Sequence, residues 1–292
     1  MSALAQVPAA GAVERRRRIV GTPAQWVVWG CVAIFLILLF GVVLAPLVNS
    51  LGDHWFNTWW PSGFTFKWYT GAWTDFQLGQ VIRVTLVVAL SVIVLSVLLG
   101  VPASYVLARK KFVGKQLLYG LFLLPVLMPP VTYGIPMATA LYKMHLGGTL
   151  GGVIVANLVP AVPFVIMTMT PFIEQINPSI ESAARMSGAG TASIFGRILA
   201  PLLVPGILAS CVLVLVRTVG MFELTFLVSG PTSNTLVVKL YYAMTAAGIR
   251  PQQEVDAMAV MYMMSMLVIL VIALRFVNPT QLVARVRDEA TD

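Results

Sequence analysis

Two ionisable residues stand close together at the end of an apolar run, Arg217 and Glu223 in "RTVGMFE". Charge in so apolar a setting is costly, so each residue is a candidate functional group. Six positions apart, they would point about 240° from one another on an ideal helix, which argues against a direct pair within one straight helix. Two readings stay open for each: contact with a polar solute along a path, or structural pairing and snorkelling toward an interface. The other reactive side chains offer less. Cys31 and Cys211 both sit inside apolar runs, where a free thiol behaves as a small hydrophobe. His54 and His145 fall in different loops, and a metal would need further ligands beside them. No phosphate-binding GxxxxGK[ST] occurs, since "FVGKQ" at 112–116 lacks both the preceding glycine and the hydroxyl that would meet Mg²⁺. HExxH, GxSxG and paired carboxylates inside apolar runs are also missing. The expectation is a chain with no catalytic residues, no metal site and no cofactor of its own.

A second stretch is polar in an otherwise greasy chain: "ESAARMSGAGTASIFGRILAPLLVPGILAS", residues 181–210. Just before it, Asn177 has the side chain of an N-cap and Pro178 suits the first helical position, where its missing N–H costs nothing. Glu181 and Arg185 follow in the favourable i,i+4 order. A short helix is predicted, with Ser182, Ala183 and Ala184 giving it a small-residue surface that another protein's backbone could approach. Gly188 and Gly190 flank Ala189 and supply a sharp turn, after which Thr191 is expected to cap a second helix. Ile194, Phe195, Ile198, Leu199 and Leu202 then form one apolar stripe feeding the next hydrophobic run.

The elements that must position these residues are membrane spans. The chain is 59% hydrophobic and 10% charged, with a mean hydropathy of +0.89, whereas a soluble domain carries about 25% charge. Runs long enough to cross about 30 Å of hydrocarbon, roughly 20 helical residues each, occur at about Trp26–Val48, Val84–Leu107, Leu117–Tyr142, Gly152–Phe172, Leu199–Val219 and Ala257–Phe276. The first follows "ERRRR", but its apolar core exceeds the roughly 7–15 residues of a cleavable signal. It is read as an uncleaved span. Tails at 1–25 and 277–292 and a loop at 173–198 complete the organisation.

Charge sets the expected orientation. With the N-terminus inside, Arg15 to Arg18, Arg109, Lys110, Lys111, Lys115, Arg185, Arg197, Arg275, Arg285 and Arg287 are cytoplasmic, thirteen of the nineteen cations. Lys67, Arg83, Lys143, Lys239 and Arg250 remain outside, so both termini and the 173–198 loop are placed in the cytoplasm. The formal charge of +8 is thereby dispersed over loops flanking helices, and no nucleic-acid partner is implied. Pro125, Pro129, Pro130 and Pro136 break the third run, and Pro160 and Pro163 the fourth. Carbonyls freed by proline cannot be satisfied by lipid, so kinked packing and a pore lining are both open. Trp55, Trp59, Trp60, Trp68 and Trp73 suit interfacial anchoring. The methionines of "MAVMYMMSM" are expected to pack against neighbours of the last span.

The 181–210 stretch resembles the EAA loop of membrane permeases from ABC-type importers. Ser182, Ala183, Ala184, Gly188, Ile198 and Pro201 fall at the motif positions, with nine residues between Gly188 and Ile198. Ser182 stands where the motif usually has glutamate, with Glu181 just before it, and Ala200 replaces the usual leucine. The resemblance covers roughly Gly63 to Phe276 and is nearest the spermidine/putrescine-type branch, through "GFTFKWYTGAW", "GVPASYVLARKKFVGKQLLYGLFLLPVLMPP" and "FLVSGPTSNTLVVKLYY". "VGMFELTF" departs from the acidic pair frequent in polyamine permeases, having Gly220 and Met221.

The resemblance implies an all-α membrane protein of the type I ABC importer permease fold, multi-pass in a bacterial-type inner or plasma membrane. It further implies two ATPase subunits holding ATP and Mg²⁺, a second permease subunit, paralogous or identical, and an external solute-binding protein. Glu181, Ser182, Ala183, Ala184, Arg185, Gly188, Ile198 and Pro201 would then carry the contact to the ATPase. A small polar solute of polyamine, phosphonate or iron type would move inward by alternating access. The alternative is a stand-alone secondary transporter or channel, which would usually want ionisable groups in mid-span and an internal repeat. Neither is found apart from Arg217.

Overall fold

The computed structural model describes residues 23–55, 60–245 and 251–276. Arg15 to Arg18, Trp59, Arg250, Arg285 and Arg287 lie outside the described residues, as do the tail to residue 22 and the segment 277–292. Among the described residues the regular structure is helical, with a single isolated bridge between Gly52 and Phe64. The chain divides into two compact units, Met1–Ala45 and Pro46–Asp292.

The first unit contributes the start of α1, Pro23–Leu51, whose side chains from Gln25 to Ala45 are all exposed. A helix greasy on every side belongs in lipid. The second unit holds α2 (Lys67–Asp75), α3 (Leu78–Arg109), α4 (Lys115–Leu127), α5 (Pro130–Lys143) and α6 (Leu150–Glu174). It continues with α7 (Pro178–Met186), α8 (Thr191–Ile194), a π-helical turn (Phe195–Leu199), α9 (Ala200–Val219), α10 (Glu223–Val228), α11 (Leu236–Thr245) and α12 (Gln252–Phe276).

Among the described residues five helices are long and apolar enough to cross a membrane, and the bent pair α4–α5 makes six. The third run is thus two helices meeting at 97°. Met128 and Pro129, at the break, have extended ψ values of 145° and 132°. Each precedes a proline, and the ring after it disfavours the α conformation, so the Pro129–Pro130 pair imposes the restriction twice in succession. The expectation of a break at Pro160 and Pro163 is corrected: α6 runs uninterrupted through both, and through Pro171. A lone proline deletes one backbone bond and kinks a helix, while the surrounding turns hold it together.

The parallel pairing of α3 with α6 forms the heart of the unit, with Gly100 against Val165 and Ser104 against Ile166. A Cβ at Gly100 would fall 2.7 Å from Val165 Cγ1, so the bare glycine lets the two backbones approach. Around this crossing Val88, Val92, Val165, Met169, Leu199 and Leu203 are fully buried. A second cluster joins α2 and the start of α3 to α11 and α12 through Ala72, Leu78, Leu236 and Met258. The last of these comes from the methionine-rich run, whose Met261 packs on the same cluster while Met264 is exposed. At that end Asn49 of α1 donates to Asp256 of α12, and Trp68 Nε1 donates to Gly52 O at 2.8 Å. The Lys67 ammonium, hydrogen-bonded to Asp53, holds that exposed carboxyl below its usual range.

Candidate functional site

The loop between α6 and α9 gathers most of the candidate residues at the end of the bundle where Arg109 closes α3. Asn177 Oδ1 accepts from the Ser179 N–H at 2.9 Å and Pro178 opens α7, the arrangement expected from "NPS". The helix ends in a Schellman pair: Gly188 N–H donates to Arg185 O and Ala189 N–H to Ala184 O, both at 3.0 Å, with Gly188 at φ +82°. Ala184 and Ala189 turn inward onto the core. Ser182, Ala183, Arg185 and Gly188 are exposed.

Four expectations for this loop change. The cap of the second helix is Gly190, extended at ψ 162°, and Thr191 is already the first helical residue with no side-chain cap bond. The helix that begins there merges into the following span without a break, so the loop is shorter than 173–198. The apolar stripe also shifts. At Phe195–Leu199 the ladder widens to i→i+5, with Ala200 N–H reaching Phe195 O, which inserts one residue into the repeat. The buried positions are therefore Ile194, Leu199 and Leu203, Ile198 is half-buried, and Leu202 is 50% exposed. Pro201 lies exposed at the start of α9.

The fourth change concerns Glu181, expected as an exposed partner of Arg185. It is 4% exposed and is the one buried residue of α7. Its Oε1 accepts from Arg109 Nε at 2.7 Å and its Oε2 from the Tyr105 hydroxyl at 2.8 Å. Arg185 adds a looser contact at 3.5 Å from its exposed side. Arg109 also donates from Nη2 to Ile176 O at 2.6 Å, and the Tyr105 ring meets Phe195 edge-on at 5.7 Å. Tyr105 and Arg109 are one turn apart on α3, so they share a face. Glu181 thus points into its own chain, and the polar outward residue at the start of α7's small-residue surface is Ser182, whose hydroxyl bonds back to Pro178 O.

Arg217 and Glu223 lie away from this cluster. Arg217, in the last turn of α9, is half-buried over the Phe164 ring at 5.4 Å and lines a narrow cleft with Asn157, Pro160 and Met221. The chain turns at Gly220–Met221 and Glu223 opens α10, where a carboxylate suits the helix N-terminus. No ion pair joins the two among the described residues. Beside them Asn157 donates to Thr225 Oγ1 at 3.1 Å inside the bundle. The Tyr133 hydroxyl of α5, within electrostatic reach of both charges, is buried with no hydrogen-bond partner. Tyr133, Asn157 and Thr225 carry no local sequence signal, because only the packing of α5, α6 and α10 brings them together.

Residues 96–287 match the family described as binding-protein-dependent transport system inner membrane component. The spermidine/putrescine transport system permease protein PotC of Escherichia coli K12 is 28% identical over 87% of this chain and 91% of its own length. The diacetylchitobiose uptake system permease protein NgcG of Streptomyces coelicolor is 31% identical over 55% of this chain, a match spanning half of that relative. The fold is shared with a bacterial ABC transporter involved in the import of the acidic polysaccharide alginate, with a TM-score of 0.70 over 88% of this chain and 99% of that one at 16% identity. With two thirds of its length inside the matched region and its helices in the shared arrangement, this inner-membrane chain belongs to the family of membrane components of binding-protein-dependent transport systems.

Proposed function

We propose that the chain is one membrane-spanning subunit of an ATP-driven importer and that α7, with the turn and helix after it, takes the contact to a separate ATPase. The observation that carries this reading is the loop itself: an ordered helix, Schellman turn and second helix whose outer surface includes the small residues Ser182, Ala183 and Gly188 beside the exposed Arg185 and Met186. Order of that kind costs conformational entropy, about 1–2 kcal/mol per backbone residue, and a docking partner offsets it. On this reading the loop and both termini are cytoplasmic, as the cation distribution favours. A second permease subunit completes the path, an external binding protein delivers the solute, and ATP with Mg²⁺ is held by the ATPase.

The relatives' names cover a polyamine, a chitobiose derivative, molybdenum and sulfate, so they support import of a small polar solute and leave its class to experiment. The complex purified with its ATPase and binding protein should hydrolyse ATP faster with one ligand among polyamines, phosphonates, ferric iron, thiamine and sugars. Uptake driven by an ion gradient, with no ATPase attached, would contradict the reading.

Arg217 and Glu223 are candidates for the solute path. Arg217→Met and Glu223→Gln are each expected to lower uptake about tenfold at unchanged membrane abundance, because each charge is half-buried and without an ionic partner among the described residues, the setting of a group that meets a polar solute. Wild-type uptake from both variants removes them from the path.

A further inference from the structure

The coupling helix is held to the bundle in an unusual way. Its only buried side chain is a carboxylate, where an amphipathic surface helix would normally present leucine or isoleucine. Apart from Arg185 at 3.5 Å, the groups meeting Glu181 come from one turn of α3, and the same turn holds the loop at two further points. Arg109 reaches the Ile176 carbonyl before α7, and Tyr105 carries the Phe195 ring after α8. Three separated pieces of the loop therefore converge on Tyr105 and Arg109.

A buried ion pair is poorly explained as a stabiliser. Apolar residues of similar volume often do as well or better, because desolvating two charges costs as much as their attraction returns. What the pair adds is direction. Apolar contacts slide over one another with little penalty, whereas two short charge-assisted bonds fix distance and angle together. α3 is also the longest helix among the described residues, Leu78–Arg109, and at its other end Leu78 and Val81 sit in the cluster with α2, α11 and α12, where Thr85 Oγ1 accepts from Leu236 N–H at 2.9 Å. A rod of that length spans about 48 Å. It joins the loop directly to the far end of the bundle.

We propose that Tyr105, Arg109 and Glu181 form a clasp that makes α7 and α3 move as one body, so that displacement of α7 by its partner is delivered to α3 and thence to the α2–α11–α12 end. They are positioning residues: none need touch solute or nucleotide. The inference rests on the reading of α7 as the ATPase contact, and it adds where the displacement goes.

The test uses the whole purified complex in proteoliposomes and reads solute taken up per ATP hydrolysed, a ratio that loss of stability alone does not change in the complexes that remain. Glu181→Gln keeps the size of the side chain and removes its charge. Its complexes should retain the ATPase and basal hydrolysis while the ratio falls roughly tenfold, within the span that single changes along a coupling network produce. Arg109→Lys keeps the charge but cannot serve Glu181 and Ile176 O together with one ammonium, and it should fall between wild type and Glu181→Gln. Tyr105→Phe preserves the ring against Phe195 and deletes one bond, and it should lower the ratio by about threefold, the worth of one such hydrogen bond. If Glu181→Gln is lost from the membrane, Tyr105→Phe at normal abundance decides the matter. A wild-type ratio in assembled Glu181→Gln, or in Tyr105→Phe where Glu181→Gln is lost, overturns the clasp while leaving the docking reading intact. Absence of any ATPase from the wild-type complex overturns both.

Discussion

Gly188→Val is expected to leave the chain in the membrane at near-normal abundance while uptake falls by tenfold or more and the ATPase no longer co-purifies. The position asks for a left-handed backbone, φ +82°, and a β-branched residue there costs about 1–3 kcal/mol. Space is not the obstacle, because no atom beyond the adjoining residues lies within 4 Å of where its Cβ would stand. The strain therefore acts on the turn alone, opening the bonds from Gly188 N–H to Arg185 O and from Ala189 N–H to Ala184 O that end α7. None of the buried clusters of the spans includes this residue, so insertion should proceed. Gly188→Ala, with less strain and a single methyl, should give an intermediate defect. Uptake and ATPase retention are measured beside abundance. Normal transport from Gly188→Val with the ATPase attached would show that the turn has no part in docking.

Ala183→Glu should be as damaging to the complex and harmless to the isolated chain. Ala183 is exposed on α7, so an added carboxylate stays solvated until a partner covers it. Once covered without a countercharge, it carries a penalty of several kcal/mol, enough to weaken association by two or more orders of magnitude. Ala183→Ser, a small neutral change of the kind already present at Ser182, should be tolerated. The readout is the ATPase recovered with a tagged chain across a salt series. A variant that binds as tightly as wild type would place α7's outer face away from the interface.

Much of this was legible in the chain. The long helices followed from hydropathy alone, since bilayer thickness fixes how many apolar residues a span needs. The limits of α7 followed from Asn177, Pro178 and Gly188, each of which acts through its own backbone and so needs no knowledge of the fold. The burial of Glu181 was not legible. From the sequence it looked like half of an exposed pair with Arg185, because the residues that pull it inward, Tyr105 and Arg109, lie 76 and 72 positions away. The shifted stripe at Leu199 and Leu203 depended on a π turn that apolar periodicity does not announce. The short helices α2, α10 and α11 were missed because each is too brief to declare a period, and they are held by contacts with distant elements such as the Asn157–Thr225 bond. Proline was over-read in α6 and at Pro125 and Pro136, which lie inside α4 and α5, and correctly read at Pro129–Pro130, where two in succession restrict consecutive residues.

The central claim, that the α7 surface meets an ATPase, is tested most directly by site-specific cross-linking in the assembled complex. A photoreactive residue placed at Ala183 of a tagged chain, in membranes that still take up solute on ATP, should capture the ATPase subunit, and Gly188→Val in the same chain should abolish the adduct. An uptake-competent complex that yields no ATPase adduct from Ala183 or from the neighbouring Ser182 would contradict it.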